Sequence, residues 1–127
     1  MTLSTAQRVP ILRDPGLAKA AFEPLREHEA TIAACLMPDH VHWLLVDSSR
    51  MSVIVKAYKT WTVRRLRRLG VDGAVWQRSF YDRVIRRGEA LREVAFYLVA
   101  NPVRAGLVES VDDYPFQVVF PERFPEG

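Results

Sequence analysis

The stretch that most restricts the fold runs from Ala30 to Val46, ATIAACLMPDHVHWLLV. Ala30 to Met37 is an unbroken apolar run of strand length. Pro38-Asp39 is a tight connection, and a second strand extends from there to about Asp47. Strands joined in this way form a hairpin, and the second strand, largely apolar on both faces, suits the middle of a sheet covered by helices. Side chains of a strand alternate between faces, so His40 and His42 project from one face with a single apolar residue between them. Imidazoles are the commonest side-chain metal ligands, and a rigid strand presenting two of them is a two-point clamp. HxH is also a common pattern in strands that bind nothing.

The remaining elements are read outward from this hairpin. Thr2 to Ala6 has the composition of a short strand. Asp14 at an N-cap and Pro15 at the first helical position open a helix to about His28. Leu17, Ala20, Ala21 and Leu25 form its apolar stripe, Pro24 is expected to kink it or end it early, and His28 is expected to be exposed near its end. Ser52 can cap a second helix whose inward stripe reads as Val53, Ala57, Trp61, Leu66 and Leu69, with Gly70 as its stop. Val75 to Arg87 reads as a strand or extended arm. A third helix starts at Glu89 with Leu91, Val94, Ala95 and Leu98 inward, and it stops near Asn101 because Pro102 disfavours helical geometry in the residue before it. A turn with one short helical turn follows, and from about Val108 the tail reads as mostly irregular. The order β, α, β, β, α, β, α predicts an α+β fold, a ferredoxin-like antiparallel sheet with helices packed on one face.

Length and composition bound the function. A chain of 127 residues, 49% apolar and 26% charged, predicts one folded domain over 1–127. The one cysteine, Cys35, excludes an internal disulfide and points to the cytoplasm. No secretory signal opens the chain and no apolar run approaches the roughly 18 residues of a membrane span, so no membrane partner is expected. The net charge of +3 hides an asymmetry: eleven Lys or Arg fall between Arg50 and Arg87 against Asp72 and Asp82 alone. The rest of the chain holds seven basic and thirteen acidic residues. A concentrated basic zone is the electrostatic footprint of a surface that meets phosphates, although arginine-rich helix faces are often simply solvated.

On the third helix Tyr97 and Asn101 are four residues apart and share a face. Aimed at the point faced by His40 and His42, they would supply a nucleophilic hydroxyl and a third, oxygen ligand. Two imidazoles and an amide oxygen would accept Mg²⁺, Mn²⁺ or Zn²⁺ with positions left open, a suitable centre for polarising a phosphodiester under attack by a tyrosine. Each residue also has a plainer reading, Tyr97 as a half-buried tyrosine at the helix margin and Asn101 as a helix-terminal residue that tolerates left-handed geometry.

MPDHVHWLLV, VWQRSFYDRVIR and YLVANPVRAGLV, in this order and spacing, resemble the REP-associated tyrosine transposases, single-strand transposases of the HUH superfamily. The similarity spans about Val9 to Phe116. It implies a ferredoxin-like sheet with the histidine pair on a central strand, binding Mg²⁺ or Mn²⁺ through His40 and His42, with Asn101 completing the metal site and Tyr97 as nucleophile. It implies nicking and joining of single-stranded DNA at imperfect palindromic hairpins, leaving a 5′-phosphotyrosine and a free 3′-hydroxyl. By the same analogy Arg64, Arg65, Arg67 and Arg68, with Lys56 and Lys59 on the same helix, would track phosphates. Trp76 or Tyr81 would stack on an unpaired base or hairpin foot, with Trp76 read equally as a core residue, and Arg104 would contact DNA near the scissile phosphate or else close a salt bridge.

The chain departs from the family at its start, where few residues precede Arg8 although members usually begin with a full central strand. Loss of that strand predicts an unpaired neighbouring edge open to strand exchange or dimerisation, so monomer and homodimer are both expected; a start codon chosen too far downstream is an equally simple account. The C-terminal extension is also short. Two other functions compete: a catalytically inactive or domesticated module that only binds hairpin DNA, and a ferredoxin-like RNA-binding domain indifferent to metal.

Overall fold

The computed structural model describes residues 1–46, 48–81 and 88–124. Strands β2 (Thr31–Met37) and β3 (His40–Leu45) form the expected hairpin, pairing from Met37↔His40 to Thr31↔Leu45. All seven residues of β2 are buried. β1 (Thr2–Ser4) pairs with the other side of β3, and β4 (Gln117–Val119) with the other side of β2, giving an antiparallel sheet ordered β1-β3-β2-β4. β3 is therefore interior. The edge expected to lie open is covered: Thr2, Leu3 and Ser4 sit opposite His42, Val41 and His40. On its far side β1 meets Tyr81 and its neighbour Thr5 meets Trp76 in isolated bridges. The first strand, though short, has chain on both sides. Of the expected strand or arm over 75–87, residues 82–87 lie outside the described residues.

The α+β class and antiparallel sheet are as expected, but the helices cover both faces of the sheet. Alternation decides which residues go where. Val41, Trp43 and Leu45 of β3, with Ala34 and Leu36 of β2, pack under α1 (Pro15–Glu27) and α2 (Met51–Arg68). Leu44, with Ala33, Cys35 and Met37, packs under Leu91, Ala95 and Leu98 of α3 (Gly88–Val99). The histidine face is thus the α3 face.

Asp14 caps α1 by accepting hydrogen bonds from the Gly16 and Leu17 amides, at 2.8 and 3.1 Å. The helix runs three residues past Pro24 instead of breaking there, held by buried Ala18, Ala20, Ala21, Phe22 and Leu25. His28 is half-buried, not exposed: its Nδ1 accepts from the Ala30 amide at 3.0 Å and its ring meets Trp43 edge to face. A short 3-10 turn, Ser48–Arg50, leads into α2, so Arg50 and not Ser52 is the N-cap.

The buried row of α2 is Met51, Val55, Tyr58, Thr62 and Leu66. Val53, Ala57, Trp61 and Leu69 of the expected stripe are exposed, and Leu66 alone of that stripe is buried. Two polar-tipped residues win the core side because their hydroxyls find partners there: Tyr58 donates to the Ala21 carbonyl at 2.7 Å, and Thr62 donates to the Tyr58 carbonyl and accepts from the Trp76 indole at 3.0 Å. Gly70, at φ +97°, closes the helix in the left-handed geometry that suits glycine.

α3 ends at Val99, and Asn101–Arg104 forms the short helical turn α4. The tail does more than the expected irregular chain: besides β4 it buries Tyr114 and Phe124 on the α3 face, with the Tyr114 hydroxyl donating to the Leu36 carbonyl. Arg123 donates to the His28 and Thr31 carbonyls and fastens it further. No helix among the described residues is long and apolar enough to cross a membrane.

Candidate active site

β3 delivers His40 and His42 side by side, their ring centroids 4.8 Å apart and the rings nearly perpendicular. Each imidazole is held through Nδ1. His40 Nδ1 lies 2.6 Å from Asp39 Oδ1, and His42 Nδ1 lies 3.1 Å from the Thr2 hydroxyl. Register explains the second contact, since Thr2 is the Cα partner of His42 across the β1–β3 ladder. Asp39 is in turn bridged by the Arg8 guanidinium at 3.0 Å. Burial raises the Asp39 pKa, but hydrogen bonds from His40 and Arg8 and their charges outweigh it and hold the carboxyl below its ordinary value. Gln7 and Arg8 both adopt positive φ, 54° and 57°, so the tight loop that brings Arg8 to Asp39 runs through an unfavourable conformation.

Burial pushes the His42 pKa down to about 4, with His40, Arg104 and Arg8 adding positive charge nearby. The ring is therefore neutral at physiological pH, the state a metal ligand needs. With both Nδ1 atoms engaged, the Nε2 atoms remain as donors, oriented by a carboxylate on one ring and a hydroxyl on the other. Among the described residues no third His, Cys, Asp or Glu joins them in a metal-binding group.

α4 brings an amide oxygen to the same region. His42, Tyr97 and Asn101 line one cavity of about 190 Å³, together with Thr2, Leu44 and Tyr81. Asn101 Oδ1 accepts from Arg104 at 3.0 Å and keeps a second lone pair. Two imidazole nitrogens and one neutral oxygen fit a divalent cation with open positions. The same guanidinium donates to the Tyr97 carbonyl at 2.8 Å and lies 3.6 Å over the Tyr97 ring. Tyr97 is nonetheless 67% exposed.

The residues named from sequence thus fall into two groups. His40, His42, Tyr97, Asn101 and Arg104 converge on the α3 side of the sheet. The basic residues of α2 lie on the opposite side, where Lys56, Arg64, Arg67 and Arg68 are exposed and Arg65 is half-buried against Glu23 at 3.5 Å. Lys59 departs from the expectation: its amine donates to the Gln77 carbonyl at 2.8 Å, burial lowers its pKa, and it straps the 77–78 segment to α2. Trp76 departs further. It is 9% exposed, bonded to Thr62 and packed on Tyr58, so it is a core residue and presents no face to a base. Tyr81, at 71% exposed on the rim of the cavity, keeps the stacking role open. Sequence reasoning missed Thr2, Arg8 and Asp39; an acid immediately before the first histidine was the one signal available.

No protein-family model matches the chain. A Haemophilus influenzae protein carrying the REP-associated tyrosine transposase name is 29% identical over 113 residues, covering 77% of this chain and 64% of its own length. The REP-associated tyrosine transposase of Escherichia coli is 31% identical over 88 residues, covering 64% of this chain and 48% of its own. The chain therefore spans between about half and two thirds of the length of these relatives. A solved structure of a REP-associated tyrosine transposase bound to a REP hairpin superposes with a TM-score of 0.68 at 22% identity, over 99% of this chain and 82% of that one. The chain is thus similar in sequence to these REP-associated tyrosine transposases, and similar in fold to the hairpin-bound one.

Proposed function

We propose that the protein nicks and rejoins single-stranded DNA at hairpins, with Tyr97 as nucleophile and a divalent metal, Mg²⁺ or Mn²⁺, at His40, His42 and Asn101. The observation that carries this reading is the convergence of His42, Tyr97 and Asn101 on one cavity beside His40. The names of the sequence relatives and the hairpin bound to the structural neighbour support it.

The chain's own groups divide the work. Tyr97 Oη loses its proton and attacks phosphorus; the P–O3′ bond breaks, the departing 3′ oxygen takes up a proton, and the 5′ phosphate stays linked to the protein. Attack by another 3′-hydroxyl reverses these steps and joins the strands. Arg104, over the Tyr97 ring and bonded to Asn101, keeps nucleophile and ligand in one unit and supplies a cation where the phosphate must sit. Asp39 and Thr2 fix the orientation of the two imidazoles. A bound divalent cation would polarise the phosphodiester and neutralise charge in the transition state.

The test is a gel assay with 3′-end-labelled hairpin DNA and Mn²⁺. Wild type should yield a protein-linked 5′ end that survives denaturation, and Tyr97→Phe should yield none. An adduct with both proteins would remove Tyr97 from the chemistry. The second reading, a hairpin-binding module without catalysis, is favoured by the engagement of Asn101 Oδ1 with Arg104; it predicts salt-sensitive hairpin binding and no adduct from either protein.

A further inference from the structure

α2 carries an apolar row that the core does not use. Val53, Ala57 and Trp61 recur every fourth residue and so form one stripe. The stripe is exposed, Val53 by 59% and Trp61 by 42%. It walls a groove of about 640 Å³ whose opposite wall is the end of α1 at Pro24 and His28. Trp43 and Tyr58 also line this groove, and both have their polar atoms satisfied elsewhere, the indole N–H on Thr31 Oγ1 at 2.9 Å and the phenol on the Ala21 carbonyl at 2.7 Å. At 1% and 4% exposed they form the buried floor of the groove, and Trp61 is the aromatic ring open to a ligand.

The groove's own lining carries one base and one acid, and the cations gather on the other side of Trp61. Trp61 also borders two hollows lined by Lys56, Arg64, Arg65 and Arg68. Among the described residues Lys56, Arg64 and Arg68 belong to no ion pair, while Arg65 is shared between Glu23 and the Trp61 ring, 4.6 Å from its centroid. Glu29 is the one described carboxylate lining the groove, and Arg50 lines it too. An apolar partner would leave these cations desolvated and unpaired. Duplex DNA would satisfy the cations but keep its base faces stacked inside. A single strand presents unstacked bases and phosphates together, matching both features.

We propose that this groove seats unpaired nucleotides of single-stranded DNA, with Trp61 stacking on a base while Lys56, Arg64 and Arg68 hold the flanking phosphates. The inference rests on the reading of the protein as a single-strand DNA enzyme and adds an anchoring site to it. Because α2 and Tyr97 are on opposite faces of the sheet, the nucleotides seated here are not those at the scissile phosphate.

The test uses tryptophan emission. Of the three tryptophans, Trp43 and Trp76 are buried, leaving Trp61 as the indole a base can quench. The protein is titrated with a short oligothymidylate and with an abasic strand of equal length and charge. The oligothymidylate should quench emission, and Trp61→Leu should abolish the quench and weaken binding roughly 5- to 150-fold, the range expected for one lost stacking contact. Trp61→Phe should recover most of the affinity, and the abasic strand should bind wild type and Trp61→Leu alike. Equal affinity of wild type for the two strands, or undiminished oligothymidylate binding by Trp61→Leu, overturns the proposal. So does conversion of a dimer to a monomer by Trp61→Leu without loss of DNA affinity, which would make a second copy the occupant. Failure of the Tyr97 adduct with the quench intact removes the nuclease reading and leaves the groove. An adduct formed by Trp61→Leu with unchanged oligothymidylate affinity does the reverse.

Discussion

His42 should make the protein acid-sensitive through the site itself. Its pKa is lowered from 6.5 to about 4, chiefly by burial. A depressed folded-state pKa means that, between those values, the unfolded chain binds a proton that the folded chain refuses. Stability then rises with pH, being fully present above about 6.5 and lost as pH falls toward 4. At pH 5 the unfolded imidazole is almost wholly charged and the folded one mostly neutral, a cost of about 2 kcal/mol relative to pH 7. The ring is half-buried and solvent screens part of this, leaving about 1–2 kcal/mol. The assay is urea unfolding in chelator at pH 7 and pH 5, comparing wild type with His42→Gln, which keeps a polar group for the Thr2 hydroxyl but does not titrate. Carboxylates common to both proteins cancel in the difference. Wild type should lose about 1–2 kcal/mol more than the variant on acidification; parallel losses would refute the assignment of a buried, neutral His42.

Other expectations follow from neighbouring contacts. Asp39→Asn should weaken Mn²⁺ binding by roughly 10- to 100-fold, read by calorimetry, with hairpin affinity in chelator unchanged, because the carboxylate acts by orienting His40. Trp76→Phe should lower unfolding stability by about 1–3 kcal/mol, through a smaller ring and the lost bond to Thr62, with no change in hairpin affinity; a loss of affinity at constant stability would return Trp76 to the interface. Burial pushes the Cys35 thiol up to about 12, so iodoacetamide at pH 8 should label it only after unfolding in guanidinium, as mass spectrometry would show.

What could be read from the sequence was what local periodicity controls. The hairpin from Thr31 to Leu45, the capped start of α1 at Asp14, the stop at Gly70 and the break before Pro102 each follow from residues within one turn or one strand of each other. The histidine pair was legible for the same reason, because alternation alone places His40 and His42 on one face. Failures begin where a choice depends on a distant partner. Hydrophobicity ranks Trp61 above Thr62, yet Thr62 is buried because the Trp76 indole, fourteen residues on, needs its oxygen. Which face of the sheet receives α3 depends on the path of the whole chain, and so does the separation of the basic helix from Tyr97.

That separation also changes how the basic run should be interpreted. Eleven cations in one stretch pointed to a surface that meets phosphates. The fold instead divides the cationic groups: Arg8 and Arg104 attend the histidines and Tyr97, while Lys56, Arg64 and Arg68 stand beside the exposed row of α2 across the sheet. Coulombic attraction between exposed charges fades over about 8–10 Å at physiological salt, so a phosphate at one set gains little from the other. Charge reversal at Arg64 and Arg68 should therefore weaken binding of a long strand and flatten its salt dependence, while the rate of adduct formation at saturating DNA stays as in wild type. Reversal at Arg104 should do the opposite, slowing adduct formation with little change in binding. If both variants lost affinity and rate together, the two faces would be acting as one surface and the division argued from the sheet would be wrong.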